Sequence, residues 1–145
     1  MIVLLLSLIA IYLRVGIGRQ RVSNFDKWFI QIPFSIYLGW ITVATVANAT
    51  ALLVSLQWDG WGLDPRAWAV IMIIAAAAIA SAVSITRGDI GYVAVAVWAF
   101  IGIAVKYSAT TSVAITACLM AAVVALTLLI GVPRARARLR ASLRS

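Results

Sequence analysis

Residues 33–56, PFSIYLGWITVATVANATALLVSL, constrain this chain more than any other stretch. As a helix the run rises about 36 Å, enough to cross a hydrocarbon core of about 30 Å, and it holds no group charged at neutral pH. Yet it carries Ser35, Tyr37, Trp40, Thr42, Thr45, Asn48, Thr50 and Ser55. Hydrogen-bonding groups left unpaired in hydrocarbon are costly, so a helix this polar is expected inside a membrane bundle, shielded by protein neighbours. At 100° per residue, Ser35, Tyr37, Thr42, Thr45, Asn48 and Ser55 fall within a sector of roughly 160°. Asn48 sits near mid-depth and needs partners from a neighbouring helix, water or a ligand. A contact of the first kind is worth about 0.6 kcal/mol in membranes.

The apolar character runs along nearly the whole chain. Of 145 residues, 65% are hydrophobic and only 11% charged, with a mean hydropathy of +1.09. The reading is one all-α integral membrane domain, residues 1–132, followed by a basic cytoplasmic tail, residues 133–145. Five transmembrane helices are expected, at about 1–17, 30–56, 66–86, 90–106 and 111–132. Thirteen apolar residues at the start rise only about 20 Å, so the first span reaches across only if Arg14 snorkels. That abrupt start also suggests a chain lacking upstream helices of a longer form.

Between the first two spans, Ser23 and Asp26 have capping-box spacing, and Phe25, Trp28, Phe29 and Ile32 form an apolar stripe. A short interfacial helix is predicted there, with Pro33 ending or kinking it. Asp64 with Pro65 should start the third span, Asp89 the fourth and Thr111 or Ser112 the fifth. Gly131-Val132-Pro133 should stop the chain's last helix. The turn Thr86-Arg87-Gly88-Asp89 makes spans three and four antiparallel neighbours.

The net charge of +8 is distributed unevenly. Arg14, Arg19, Arg21, Lys27, Arg87, Arg134, Arg136, Arg138, Arg140 and Arg144 share one side of the five-span arrangement; Arg66 and Lys106 take the other. The positive-inside rule then puts the N-terminus outside and the C-terminus in the cytoplasm of a multi-pass cell (inner or plasma) membrane protein. Trp58, Trp61 and Trp68 fit an outer aromatic belt and Trp28 an inner one. The tail arginines Arg134, Arg136, Arg138, Arg140 and Arg144 are expected to contact anionic lipid, with an acidic partner as the alternative. No basic patch interleaved with exposed aromatics points to nucleic acid.

The chain has no His and no Glu, and its Asp residues lie in loops or at helix ends. No zinc spacing, paired carboxylate or nucleophile–base pair is present, so neither an enzyme nor a cofactor is expected. Secondary transporters carry an intramembrane ionisable group, and none sits at mid-depth. The lone Cys118 reads as a small hydrophobe. The alanine run at 75–78, with Ala80 and Ala82, offers a smooth face for close helix approach.

Trp40 and Trp98 lie deeper than belt tryptophans. Core packing is one reading; an aromatic wall for a flat ligand is the other. The candidate ligand-binding residues are Tyr37, Trp40, Thr42, Thr45, Asn48 and Trp98.

The stretch IPFSIYLGWITVATVANATALLVSLQWDGWGL, together with LLSLIAIYLRVGI and GYVAVAVWAFIGIAVKY, resembles the bacterial tryptophan-rich sensory protein group, which stands with or beside the TspO/MBR translocator-protein family. The resemblance covers most of the chain, and matches the C-terminal part of longer members. It implies an α-helical membrane bundle and, by extension, binding of porphyrins or related hydrophobic ligands in a sensory or transport role. Two other readings stand beside it. One is a structural or permease-type subunit whose polar face docks a partner helix, or that pairs as a homo-oligomer; the other is an inactive truncated product.

Overall fold

The computed structural model describes residues 2–15, 27–57 and 60–141. It is all-helical, with no strand among those residues. The helices are α1 (Ile2–Val15), α2 (Ile32–Ser55), α3 (Pro65–Arg87), α4 (Ile90–Lys106) and α5 (Thr111–Ala141). A π-helical turn, Lys27–Gln31, leads directly into α2, and a 3₁₀ turn, Gly60–Gly62, precedes α3.

The helix starts follow the chemistry of the loops. Asp64 caps α3 by accepting the Arg66 amide at 2.9 Å, with Pro65 at the first helical position. Asp89 caps α4 through the Tyr92 amide at 3.1 Å. The start of α5 falls one residue earlier than the expected caps: the Thr110 carbonyl accepts from the Val113 and Ala114 amides. Between α3 and α4 the chain turns on Gly88, which adopts φ +62° and donates its amide to the Ser84 carbonyl at 2.8 Å. Only glycine takes that left-handed conformation without penalty, so a two-residue link suffices to reverse the chain.

Neither Pro33 nor Pro133 ends its helix. Pro33 does not end the preceding turn; the wider π turn before it leaves room for the ring, and the helix runs on. Pro133 does not stop α5, which continues to Ala141. Two features offset a cost of about 3 kcal/mol for an interior proline. The Arg/Ala/Leu sequence beyond it forms helix readily. It also has a neighbour, because Ala135 packs against Gly88 at the end of α3. The expected capping residues Ser23 and Asp26, and Phe25 of the interfacial stripe, lie outside the described residues.

Packing centres on α5, which lies along both α3 and α4; α2 packs on α4, and α1 packs on α2. The α5 seam is Val113, Ala117, Ala121 and Val124, all buried, facing Ile73, Ala77 and Ala80 of α3 and Val93, Ala96 and Phe100 of α4. Lipid tails are as apolar as leucine, so close contact rather than water exclusion must hold such a bundle, and small residues permit it. The alanine expectation holds at Ala77 and Ala80, whereas Ala75 and Ala78 face outward. The tightest approach is Gly131, where a Cβ would run into the Ser84 carbonyl. Gly39 plays the same part between α2 and α4, its Cα facing Val95 and the Tyr92 carbonyl.

Among the described residues, three helices are long and apolar enough to cross a membrane: Phe29–Leu53, Pro65–Arg87 and Thr111–Ala137. Ile2–Arg14 and Ile90–Lys106 are apolar but shorter, so five full-length spans are not established. Their rises, about 20 and 26 Å, fall below the roughly 30 Å core.

Candidate functional site

The polar face of α2 is covered by this chain only over the first half of the helix. The packed face runs through Gln31, Ser35, Leu38, Gly39 and Ile41. Thr42 and Thr45 are half-buried, and Asn48 is exposed. From residue 47 to 52 only Thr50 is partly covered, so the helix has left its neighbours on nearly every side. The expectation of a shielded helix holds for the first half of α2 and fails for the second, for a local reason. Thr42, Thr45 and Thr50 each donate to the carbonyl four residues back, at 2.8, 2.7 and 3.0 Å, and Ser55 donates to Leu52 at 2.8 Å. A hydroxyl satisfied by its own helix tolerates lipid and needs no neighbour. A carboxamide has two donors and an acceptor, so one such bond cannot satisfy Asn48.

The aromatic candidates come together. Trp40 and Trp98 pack ring to ring with centroids 5.7 Å apart and planes tilted by 40°. The pair stands on the outer surface rather than in the core: Trp40 is 48% exposed and Trp98 64%. Tyr37, one turn before Trp40, is also exposed. On the helix wheel Tyr37 and Asn48 point within about 20° of each other. Tyr37 and Asn48 therefore point off α2 on the side opposite Gly39 and α4, whereas Trp40 lies roughly 60–80° round the helix from them and pairs with Trp98. Thr42 points toward α4 instead, and Thr45 lies between those directions, both half-buried.

A second cluster lies where α1, α2 and the α3–α4 turn meet. The Tyr12 phenol donates to Asp89 Oδ2 at 2.8 Å, while Asp89 Oδ1 holds the Tyr92 amide. The Arg87 guanidinium lies over the Tyr12 ring, 5.3 Å from its centroid, a cation–π contact. Tyr12, Arg87, Asp89 and Tyr92 are all buried. Gly91 admits this crowding, its Cα facing both Ser35 and Asp89 Oδ1. Gln31 Nε2 and Ser84 Oγ are also buried, without a hydrogen-bond partner among the described residues. The arrangement ties the end of α1 to the turn between α3 and α4. Sequence reasoning treats Asp89 as a cap and Arg87 as a topology charge, and passes over Tyr12. The signal available was a pair of opposite charges flanking one glycine, in a turn too short to carry both into water.

At the N-terminal end of α3, Trp68 Nε1 donates to the Gly60 carbonyl at 2.9 Å, fixing the 3₁₀ turn to the helix. Gly60 has φ +64°, and a Cβ there would strike the Trp68 ring. Trp58, Arg19, Arg21 and Arg144 lie outside the described residues. Arg134, Arg136 and Arg140 are exposed along the end of α5, and Cys118 is exposed on its outer side.

The sequence profile of the TSPO-like protein family matches residues 1–130, most of the chain. The chain belongs to the TSPO-like family. Membership agrees with its apolar helices in making it a membrane protein in contact with the lipid bilayer. No curated protein and no solved structure matches the chain. Within this TSPO-like chain, the aromatic face of α2 and α4 and the buried Tyr12–Asp89 cluster are two places, among the described residues, where polar or aromatic chemistry is concentrated.

Proposed function

We propose that this TSPO-like protein is a non-enzymatic, multi-pass membrane protein that takes a flat, hydrophobic aromatic molecule, of the tetrapyrrole kind, from the bilayer onto the face formed by α2 and α4. The Trp40–Trp98 pair carries the reading: two large aromatic rings packed together yet half open. Aromatic faces of this kind stack on planar ligands, and the membrane delivers an apolar ligand laterally. The role is sensory or transport, with all five helices crossing and the shorter two accommodated by local thinning and by snorkelling of Arg14 and Lys106. The N-terminus then lies outside and the C-terminus in the cytoplasm.

Titration of the detergent-solubilised chain with protoporphyrin, followed by tryptophan fluorescence, tests this. Saturable quenching is expected, and most of it should vanish in the double variant Trp40→Phe plus Trp98→Phe. Equal quenching in that variant, or no saturation, removes the basis of the proposal. A second reading, that the uncovered side of α2 docks a partner helix, is favoured by the exposed Asn48. It predicts a stoichiometric crosslinked partner in native membranes.

A further inference from the structure

The expected tail anchor is a diffuse set of arginines; the structure gives it a rigid frame. Because α5 runs unbroken through Pro133, its arginines hold fixed directions. An open cleft of about 530 Å³ is lined by Pro133, Arg136, Ala137, Arg140 and Ala141. Arg136 and Arg140 are four residues apart and point to one side, whereas Arg134 lies roughly 160° round the helix from Arg136. The opposite side of the helix is occupied, since Gly131 and Ala135 pack on the end of α3. The cleft therefore faces away from the bundle.

It also continues an apolar track. Leu119, Leu126, Pro133 and Arg140 recur every seven residues, so they line up along α5 with a drift of about 20° per step. Leu119 and Leu126 are 56% and 60% exposed, and Leu129 beside them 72%. The track thus passes from exposed leucines in the span to two arginines about one turn and two turns beyond Pro133. That order matches a single amphiphile, with acyl chain on the leucines and phosphate at the arginines. Paired guanidinium groups grip phosphate oxygens by charge-assisted, forked hydrogen bonds.

We propose that Arg136 and Arg140 form a specific binding site for the phosphate headgroup of an anionic phospholipid, its acyl chain lying along the leucine track of α5. The inference is independent of the ligand face on α2 and α4. The test is native mass spectrometry of the full chain released from nanodiscs of phosphatidylcholine containing phosphatidylglycerol. The wild-type chain is expected to retain one phosphatidylglycerol. Arg136→Gln and Arg140→Gln should each lower that retention about five-fold, while Arg134→Gln, which removes the same charge, lowers it by less than about two-fold. Leu126→Asn, which interrupts the track and keeps all arginines, should also lower it. Circular dichroism confirms that each variant is folded. Equal losses in all three arginine variants mean diffuse charge attraction and overturn the proposal. Displacement of the lipid by millimolar inorganic phosphate overturns it as well, because the acyl chain would then contribute nothing.

Discussion

At the scale of single residues, the buried Tyr12–Asp89 contact makes the sharpest demands. Burying a carboxylate is tolerated only where hydrogen bonds and charge meet it, and Asp89 has the Tyr12 phenol and the Tyr92 amide. Tyr12→Phe removes one of these and leaves the ring under Arg87. Its expected cost is about 1–2 kcal/mol, read as a lower unfolding midpoint in detergent. Asp89→Ala removes the α4 cap together with the Tyr12 acceptor, and should cost about 2–4 kcal/mol. If Asp89→Ala proves no worse than Tyr12→Phe, the carboxylate is not the centre of the cluster. The threonines teach the opposite lesson. Their number on α2 suggested burial, but a hydroxyl bonded back to its own helix makes no demand on its surroundings. Polar residue type was legible in the sequence; the direction in which each hydroxyl is satisfied was not.

At the scale of helices, glycines set the spacing. Gly131 lets α5 touch the α3 backbone at Ser84, while Gly102 on α4 has open space around it. Gly131→Ala must push two backbones apart and should cost at least about 1–3 kcal/mol. Gly102→Ala meets nothing and should stabilise by about 0.5–1 kcal/mol through helix propensity alone. Thermal unfolding of the pair side by side checks both signs. Caps, helix order and the α3–α4 reversal were readable because each depends on a few neighbouring residues: Asp64 before Pro65, Asp89 after Gly88. The proline stops were misread because propensity at Pro33 and Pro133 loses to what surrounds it, a π turn in one case and a packed, helix-forming extension in the other. The Trp40–Trp98 pairing needed the parallel packing of α2 on α4, which no local pattern reveals.

At the scale of the whole molecule, the proposed topology has the α3–α4 turn and the end of α5 in the cytoplasm and the α4–α5 turn outside. In a Cys118→Ser background, Ser108→Cys should react with a membrane-impermeant maleimide on intact cells, and Thr86→Cys only after permeabilisation. The reverse pattern inverts the topology. The family and the membrane setting follow from a hydropathy spread over the whole chain and a profile match over residues 1–130. What the bundle does rests on whether the open α2–α4 face receives an aromatic ligand from the bilayer. Spin-label accessibility to oxygen, measured in lipid vesicles and the same Cys118→Ser background at Ile101→Cys one turn beyond Trp98 and at Val123→Cys on the far side of α5, decides that most directly. Both positions should be accessible without ligand, and protoporphyrin should protect position 101 alone. No protection at 101, or equal protection at both, contradicts the account.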